Sequence, residues 1–93
     1  MSVGLLTLDI LINDAKSLKD KRQVLRSLKD RLRNQFNVAV AELDHQDLWQ
    51  RSVVGVAGIS SDASHLEEVL QAVLEASEKM LGRDLVSHDI EYY

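Results

Sequence analysis

FNVAVAELDHQDLWQRSVVGVAGI, residues 36–59, stands at the centre of the chain and decides its fold. Apolar residues alternate with small or polar ones over residues 36–41, which is the period-two pattern of a strand with one buried face. Residues 53–59 are again apolar and rich in β-branched side chains, which indicates another strand. Residues 43–50 between them are polar and predict a connection without a helix. Two strands therefore follow each other directly in the middle of the chain.

The sequence before this centre predicts one strand and one helix. The strand covers residues 3–12, and its two faces differ. One face carries Leu6, Leu8, Ile10 and Ile12, and the other carries Val3, Leu5, Thr7, Asp9 and Leu11. Ser17 and Asp20 have the spacing of a capping box, and leucines recur at helical intervals to about residue 35. This segment is therefore a strand followed by an amphipathic helix.

The sequence after the centre predicts a second helix and a last strand. Residues 60–64 contain several side chains that can cap a helix, and a broad apolar arc follows over residues 66–81. Gly82 suits the position after the helix end. Residues 83–93 alternate again and predict a strand. One face of this strand carries Val86, His88, Ile90 and Tyr92.

The resulting order, β-α-β-β-α-β, predicts an α+β fold of the ferredoxin-like type, as one domain over residues 1–93. Right-handed crossovers place both helices on one face of a four-stranded antiparallel sheet. Gly55 and Gly58 within the third strand indicate close helix packing or a bulge. The other sheet face is left open, and it carries Val3, Leu5 and Leu11. We expect homo-oligomerisation through this open face, since a partly apolar face that no helix covers is an association surface.

Composition limits the classes of function. The chain has 93 residues, of which 45% are hydrophobic. It contains no cysteine, and this excludes disulfides, thiolate catalysis and cysteine metal sites. Neither a basic signal-peptide start nor a long apolar run is present, so we expect a cytoplasmic protein without membrane contact.

Several uses of this fold lack their side chains here. The first and third strands carry no aromatic residue for stacking bases, as an RNA-recognition motif requires. No P-loop, dinucleotide fingerprint or Cys-x-x-Cys pair occurs, and residues 13–16 do not form the phosphate cradle of an acylphosphatase. The acids and the histidine within residues 42–51 match no metal motif. We therefore predict no catalytic residues, no metal, no cofactor and no enzyme activity. Trp49 in this segment is either a partly buried anchor or an interface residue.

The charge distribution is more informative than the net charge of −4. Residues 16–33 contain eight basic and two acidic residues, whereas the rest of the chain contains three basic and thirteen acidic ones. On a helical wheel five of the basic residues lie within an arc of ~80° beside the leucine face. This basic stripe consists of Lys19, Arg22, Arg26, Lys29 and Arg33.

Two interpretations of the basic stripe are open. Rows of like charge are typical of phosphate contacts, and this favours an RNA or ribosomal assembly as the partner. The second helix carries Glu67, Glu68, Glu75 and Glu78, so ion pairs between the helices, or with an acidic face of another subunit, are the alternative. The two function classes are therefore a binding module that uses the first helix and an oligomeric interaction or regulatory domain without nucleic acid.

Three blocks of sequence carry a family resemblance. They are Ser-Leu-Lys-Asp-Lys-Arg (17–22), Phe-Asn-Val-Ala-Val-Ala-Glu (36–42) and Asp-Leu-Trp-Gln-Arg (47–51). With these blocks the chain resembles the YlxP-like family of small bacterial proteins of unassigned function. The resemblance implies a ferredoxin-like fold and a bacterial, intracellular setting. Genes of this family often lie among genes for transcription, translation initiation and ribosome maturation, which associates the family with RNA.

No catalytic residue follows from the resemblance, because none is established for the family. The positions that match its blocks have a shared role that the sequence does not reveal. They are Ser17, Lys19, Lys21, Arg22, Phe36, Asn37, Glu42, Asp47, Trp49 and Arg51.

Overall fold

The computed structural model describes all residues from 1 to 93. Its elements are β1 (Ser2–Leu11), α1 (Leu18–Gln35), β2 (Ala39–Asp44), β3 (Arg51–Ser60), α2 (Ala63–Leu81), a 3-10 turn (Gly82–Asp84) and β4 (Leu85–Tyr92). The strands form one antiparallel sheet in the order β2-β3-β1-β4, with both helices packed on one of its faces. The predicted ferredoxin-like arrangement is therefore confirmed. Neither helix is long and apolar enough to cross a membrane.

The central strand β1 fixes the two faces of the sheet. Leu6, Leu8 and Ile10 are completely buried beneath the helices, as their alternation predicts. Leu5, on the opposite face, lies between Ala57 of β3 and Glu91 of β4 in the strand register. The side chains of this opposite face are only partly covered, so the sheet has the predicted open face.

The start of α1 follows the predicted capping pattern with one difference. The Ser17 hydroxyl oxygen accepts a hydrogen bond from the Asp20 backbone N–H at 3.1 Å. The Asp20 carboxylate accepts from the backbone N–H of Lys16 at 3.0 Å, one residue before the cap. Two N–H groups at the helix start are thus satisfied by side chains, which stabilises this end of α1.

The second strand begins later than its alternation predicted. Residues 36–38 precede β2, because Phe36 ends α1 and its backbone N–H donates to the Leu32 carbonyl at 2.9 Å. The strand also continues to Asp44, beyond the predicted start of the connection at residue 43. The register with β3 shifts between Glu42 and Asp44, and this bulge accommodates Leu43 as an additional residue.

The glycines of the sheet mark close contacts on both faces. A Cβ atom at Gly58 would lie 3.0 Å from Leu66 Cδ1, so the predicted close packing against a helix is confirmed there. A Cβ atom at Gly55 would lie 2.6 Å from Leu43 Cδ1, which is a contact on the open face and not with a helix. Gly55 therefore makes room for the bulged leucine.

The predicted alternation of Val86, His88, Ile90 and Tyr92 is interrupted at Val86. A register shift beside Asp9 and Ile10 brings Leu85 opposite Ile10, and Val86 is 59% exposed. The bulge takes up one residue, so the alternation that holds from His88 to Tyr92 does not extend back to the start of β4.

Candidate nucleic-acid interface

The basic stripe lies along one side of α1, next to the edge strand β2. Arg22, Arg26, Lys29 and Arg33 line a groove of about 310 Å³ between the helix and this strand. The other residues of the groove are Leu25, Asp30 and Glu42. Lys19 continues the row one turn towards the helix start and is exposed. The structure thus brings four of the five predicted residues into one groove.

The stripe residues make no ion pair within the chain. The ion pairs of the structure join Lys21 to Glu42 and Arg51 to Asp9, and His45 Nδ1 lies 4.0 Å from Asp44 Oδ1. Of the alternative interpretation, ion pairs between the two helices are therefore not found within the chain, while pairing with an acidic face of another subunit stays a prediction. The two helices form no ion pairs because the stripe of α1 faces the β2 edge of the sheet.

The acidic residues of α2 lie in a different groove. Glu67, Glu68 and Glu75 line a depression of about 570 Å³ together with Tyr92 of β4. This strand forms the opposite edge of the sheet from β2. The fold thus places the basic stripe and these acidic side chains of α2 towards opposite edges of the sheet.

Arg33 is the stripe residue with a partner in the protein. Its Nη2 donates to the Val40 carbonyl oxygen of the edge strand β2 at 2.7 Å. Edge strands present unpaired backbone groups, and a basic side chain over such an edge hinders pairing with another strand. The structure gives Lys19, Arg22, Arg26 and Lys29 no hydrogen-bond acceptor in the chain. These four cations are therefore available to a ligand.

Lys21 belongs to the core and not to the basic surface. Its side chain is 1% exposed, and its Nζ lies 2.9 Å from Glu42 Oε2. The same ammonium donates to the carbonyl oxygens of His45 at 2.5 Å and Leu48 at 2.6 Å. Glu42 Oε2 also accepts from the Ser52 hydroxyl at 2.6 Å. We call this buried network the lysine clamp.

The lysine clamp is the feature that sequence reasoning missed. Counted with the other basic residues, Lys21 resembled part of a charged surface. Its position at three residues after Leu18 and four before Leu25 is the signal that places it on the buried face of α1. Its partner Glu42 lies in another element, and no periodicity connects the two.

The loop between β2 and β3 is held by backbone contacts at both ends. At its start, His45 has a φ of 62° and its N–H donates to the Asp44 side chain at 2.7 Å. At its end, the Ile12 N–H donates to the Gln50 carbonyl at 2.7 Å. Trp49 is nevertheless 51% exposed, so the loop is ordered without burying its indole.

The remaining positions of the family blocks lie in separate places. Phe36 and Asn37 border a pocket of about 240 Å³ at the end of α1, beside Leu66 of α2. Arg51 Nη2 lies 3.3 Å from Asp9 Oδ1 on the open face. Asp47 is exposed in the loop, and Ser17 caps α1. The structure gathers Lys21, Glu42 and the loop around Trp49, and it does not bring all ten positions into one site.

The open face of the sheet carries a continuous apolar patch. Leu5, Leu43 and Ala57 line a depression of about 150 Å³ there, and Leu43 is 52% exposed. At the neighbouring end, Val3 and Ile59 border a second depression, and Ile59 is 67% exposed. The patch extends across β1, β2 and β3, whereas β4 contributes Asp89 and Glu91 to this face.

Comparison with known proteins gives one family and one fold. The family described as "Protein of unknown function (DUF503)" matches residues 3–90. The uncharacterized protein YlxP of Bacillus subtilis is 43% identical over 72 residues, which are 77% of this chain and 78% of that protein.

The similar solved structures share the fold at low sequence identity. A Bordetella bronchiseptica protein assigned as an antibiotic biosynthesis monooxygenase superposes with a TM-score of 0.59 at 14% identity, covering 100% of this chain and 96% of that one. The designed protein Foldit4 gives 0.58 at 12% identity, with 99% and 94% covered. The cofactor-independent oxygenase SnoaB of Streptomyces nogalater gives 0.54 at 12% identity, with 99% and 90% covered. At such identities the likeness concerns the fold alone, and functions differ widely within it.

Proposed function

This chain belongs to the DUF503 family of proteins of unknown function, and we propose that it is a non-catalytic, cytoplasmic module that binds RNA through the basic stripe of α1. The observation that carries the proposal is the groove between α1 and β2. Four of its seven lining residues are cationic, and no stripe residue forms an ion pair within the chain.

The spacing of the stripe supports contacts to a phosphate backbone. With 1.5 Å of rise per residue, the distance along the helix from Lys19 to Arg33 is about 21 Å. Like charges three and four residues apart destabilise a helix by about 0.2–0.5 kcal/mol per pair. The chain retains five such side chains without acidic partners, which favours a polyanion as the compensating partner.

The opposite charges of the two sheet edges support a defined orientation. Glu67, Glu68 and Glu75 repel a polyanion from the α2 side, while the stripe attracts it to the α1 side. A chain with a net charge of −4 has little unspecific attraction for RNA. Binding therefore depends on the stripe and not on overall charge.

The salt dependence of binding tests this proposal. If all five stripe residues contact phosphates, log K against log salt has a slope of about −3.5 on single-stranded RNA, from about −0.7 per contact. Changing Arg26→Gln and Lys29→Gln together is expected to reduce the magnitude of this slope by about 1.4. Fluorescence anisotropy with a labelled RNA, measured from about 50 to 300 mM salt, gives the slope.

A charge-matched variant provides the control. Arg31→Gln with Lys79→Gln removes the same two charges from exposed positions outside the stripe, and it is expected to keep the full slope. Equal effects of the two double variants would show that net charge and not the groove attracts RNA. Absence of salt-dependent binding at micromolar protein and ~50 mM salt would refute the proposal.

A second candidate function is homo-oligomeric interaction through the open face. The observation that favours it is the apolar patch, in which Leu43 and Ile59 expose more than half of their surface. The molecule measures 42 × 21 × 19 Å, so one long side offers roughly 800 Å², about what each partner contributes to a standard interface. An interface of this kind would cover the patch without using the basic stripe.

Light scattering at about 100 µM protein tests the second candidate. Ile59→Lys puts a charge into the patch and is expected to reduce the mass to that of a monomer. Val86→Lys is the matched control, because Val86 is 59% exposed on the edge strand β4, outside the patch. A wild-type protein that is monomeric at this concentration would exclude this function.

A further inference from the structure

The β2–β3 loop presents two large apolar side chains to solvent. Leu48 is 46% exposed and Trp49 is 51% exposed. Trp49 is the only tryptophan of the chain. An exposed indole contributes little to the stability of the loop, since most of the favourable free energy of a tryptophan comes from burial.

The loop keeps its conformation through the lysine clamp. Lys21 holds the carbonyl groups of His45 and Leu48, and Gln50 Nε2 donates to the Ala15 carbonyl at 3.3 Å. The Leu48 N–H closes the turn by donating to the His45 carbonyl at 3.1 Å. The backbone on both sides of Trp49 is thus fixed before any ligand binds. Such preorganisation lowers the entropic cost of binding.

The lysine clamp also connects this loop to the basic groove. Glu42 is one of the residues that line the groove, and its carboxylate lies 2.9 Å from Lys21 Nζ. The same Nζ lies 2.6 Å from the carbonyl oxygen of Leu48, the residue before Trp49. Two polar contacts therefore join the groove lining to the backbone that carries the indole. The backbone of Trp49 therefore lies near the Glu42 end of the groove, towards the start of α1.

From this arrangement we infer that Trp49 stacks on an unpaired base of the RNA strand whose phosphates contact the stripe. The inference rests on the proposed function and specifies its ligand as RNA that is single-stranded at the loop end of the groove. Stacking on an aromatic side chain adds to phosphate contacts in proteins that bind single strands, and every base offers a π-face for it. The groove lining itself contains no aromatic side chain, so Trp49 is the side chain at this end that can perform this role.

Titration of the single tryptophan tests the inference directly. A 12-nucleotide single-stranded RNA is expected to quench the fluorescence of Trp49, whereas a blunt duplex of the same length is expected to bind without comparable quenching. Trp49→Ala should weaken single-strand binding by about 5- to 150-fold, the range that corresponds to loss of one stacked base. The slope of log K against log salt should stay unchanged, because no phosphate contact is lost.

Trp49→Phe distinguishes stacking from a structural role, since the smaller ring should restore most of the affinity of the single strand. Salt-dependent binding without quenching, or with Trp49→Ala equal to wild type, would overturn the stacking inference and leave the proposed function intact. Absence of salt-dependent binding to either RNA would overturn the proposed function itself. A fluorescence change with protein concentration alone would place Trp49 in self-association and also overturn the inference.

Discussion

A buried ammonium group is tolerated only where each of its N–H bonds finds an acceptor. Lys21 meets this condition with three oxygen atoms, one from Glu42 and two from loop carbonyls. The attraction to Glu42 is strong because water is largely excluded from the pair, yet desolvation of both charges opposes it. The lysine clamp therefore contributes more to fixing one loop conformation than to net stability. Its loss is nevertheless severe if one charge remains unpaired.

We expect Lys21→Met to destabilise the protein by about 3 kcal/mol, because the Glu42 carboxylate then remains without its cation and the carbonyls of His45 and Leu48 each lose a hydrogen bond. Urea unfolding followed by circular dichroism measures this free energy. Lys19→Met is the matched control on the exposed side of α1, and a change within about 0.5 kcal/mol is expected there. Adding Glu42→Gln to Lys21→Met should recover part of the loss, since it removes the unpaired charge and keeps an acceptor for Ser52. Equal effects of Lys19→Met and Lys21→Met would contradict the role of the lysine clamp.

Among the contacts of single residues, the sequence predicted the Ser17 cap of α1 but not the lysine clamp. Ser17 and Asp20 are three residues apart, so the local chain decides their contact. The partners of Lys21 lie 21 to 27 residues further along the chain, and their approach depends on how β2 packs against α1. A local pattern carries no information on such a contact.

At the scale of elements, three sides of α1 make three different kinds of contact. Leu25, Leu28 and Leu32 fill the core, the stripe forms the groove wall, and Lys21 holds the loop. The helix start determines the register of all three sides, because residues 18–35 rotate together about one axis. The cap at Ser17 thus supports the groove as well as the helix.

Ser17→Ala is expected to destabilise the protein by about 1 kcal/mol, because the Asp20 N–H loses its acceptor at the helix start. Thermal and urea unfolding both measure the change. Ser27→Ala makes the same substitution at an exposed position inside α1, where alanine is the better helix former and no loss is expected. A loss at Ser27 as large as that at Ser17 would show that the capping contact is not the cause.

Strand ends were the least predictable part of the elements. Alternation of Phe36 and Val38 with smaller residues predicted a strand from residue 36, but the end of α1 uses Phe36 as its cap residue. The pattern is ambiguous there, since an apolar side chain after a helix packs on the core as well as one in a strand. The extension of β2 by the bulge at Leu43 was not predictable from the local sequence either. Its cause is the space above Gly55 in a neighbouring strand, which the local sequence does not contain.

At the scale of the whole molecule, apolar and charged surfaces lie on different sides. The apolar patch covers the open face, the basic groove lies at the β2 edge, and the acidic groove lies at the β4 edge. The element order predicted the sheet, the side of the helices and the open face. It left open where the stripe points, because that depends on the rotation of α1 above the sheet. This rotation decides between pairing with α2 and exposure at the β2 edge.

The two kinds of surface predict opposite responses of self-association to salt. Contact between the basic edge of one copy and the acidic edge of another weakens as salt shortens the range of charge interactions, to about 3 Å at 1 M. Contact through the apolar patch persists, since hydrophobic burial does not depend on screening. We expect the patch to dominate, because exposed ion pairs contribute only about 0–1 kcal/mol each, whereas burying an aliphatic side chain contributes about 1.5–3 kcal/mol. Sedimentation velocity should therefore give the same mass at about 50 and 500 mM salt. The double variant Glu67→Gln with Glu75→Gln should leave that mass unchanged. A mass that falls both with salt and in this variant would instead assign self-association to contact between the basic β2 edge and the acidic β4 edge.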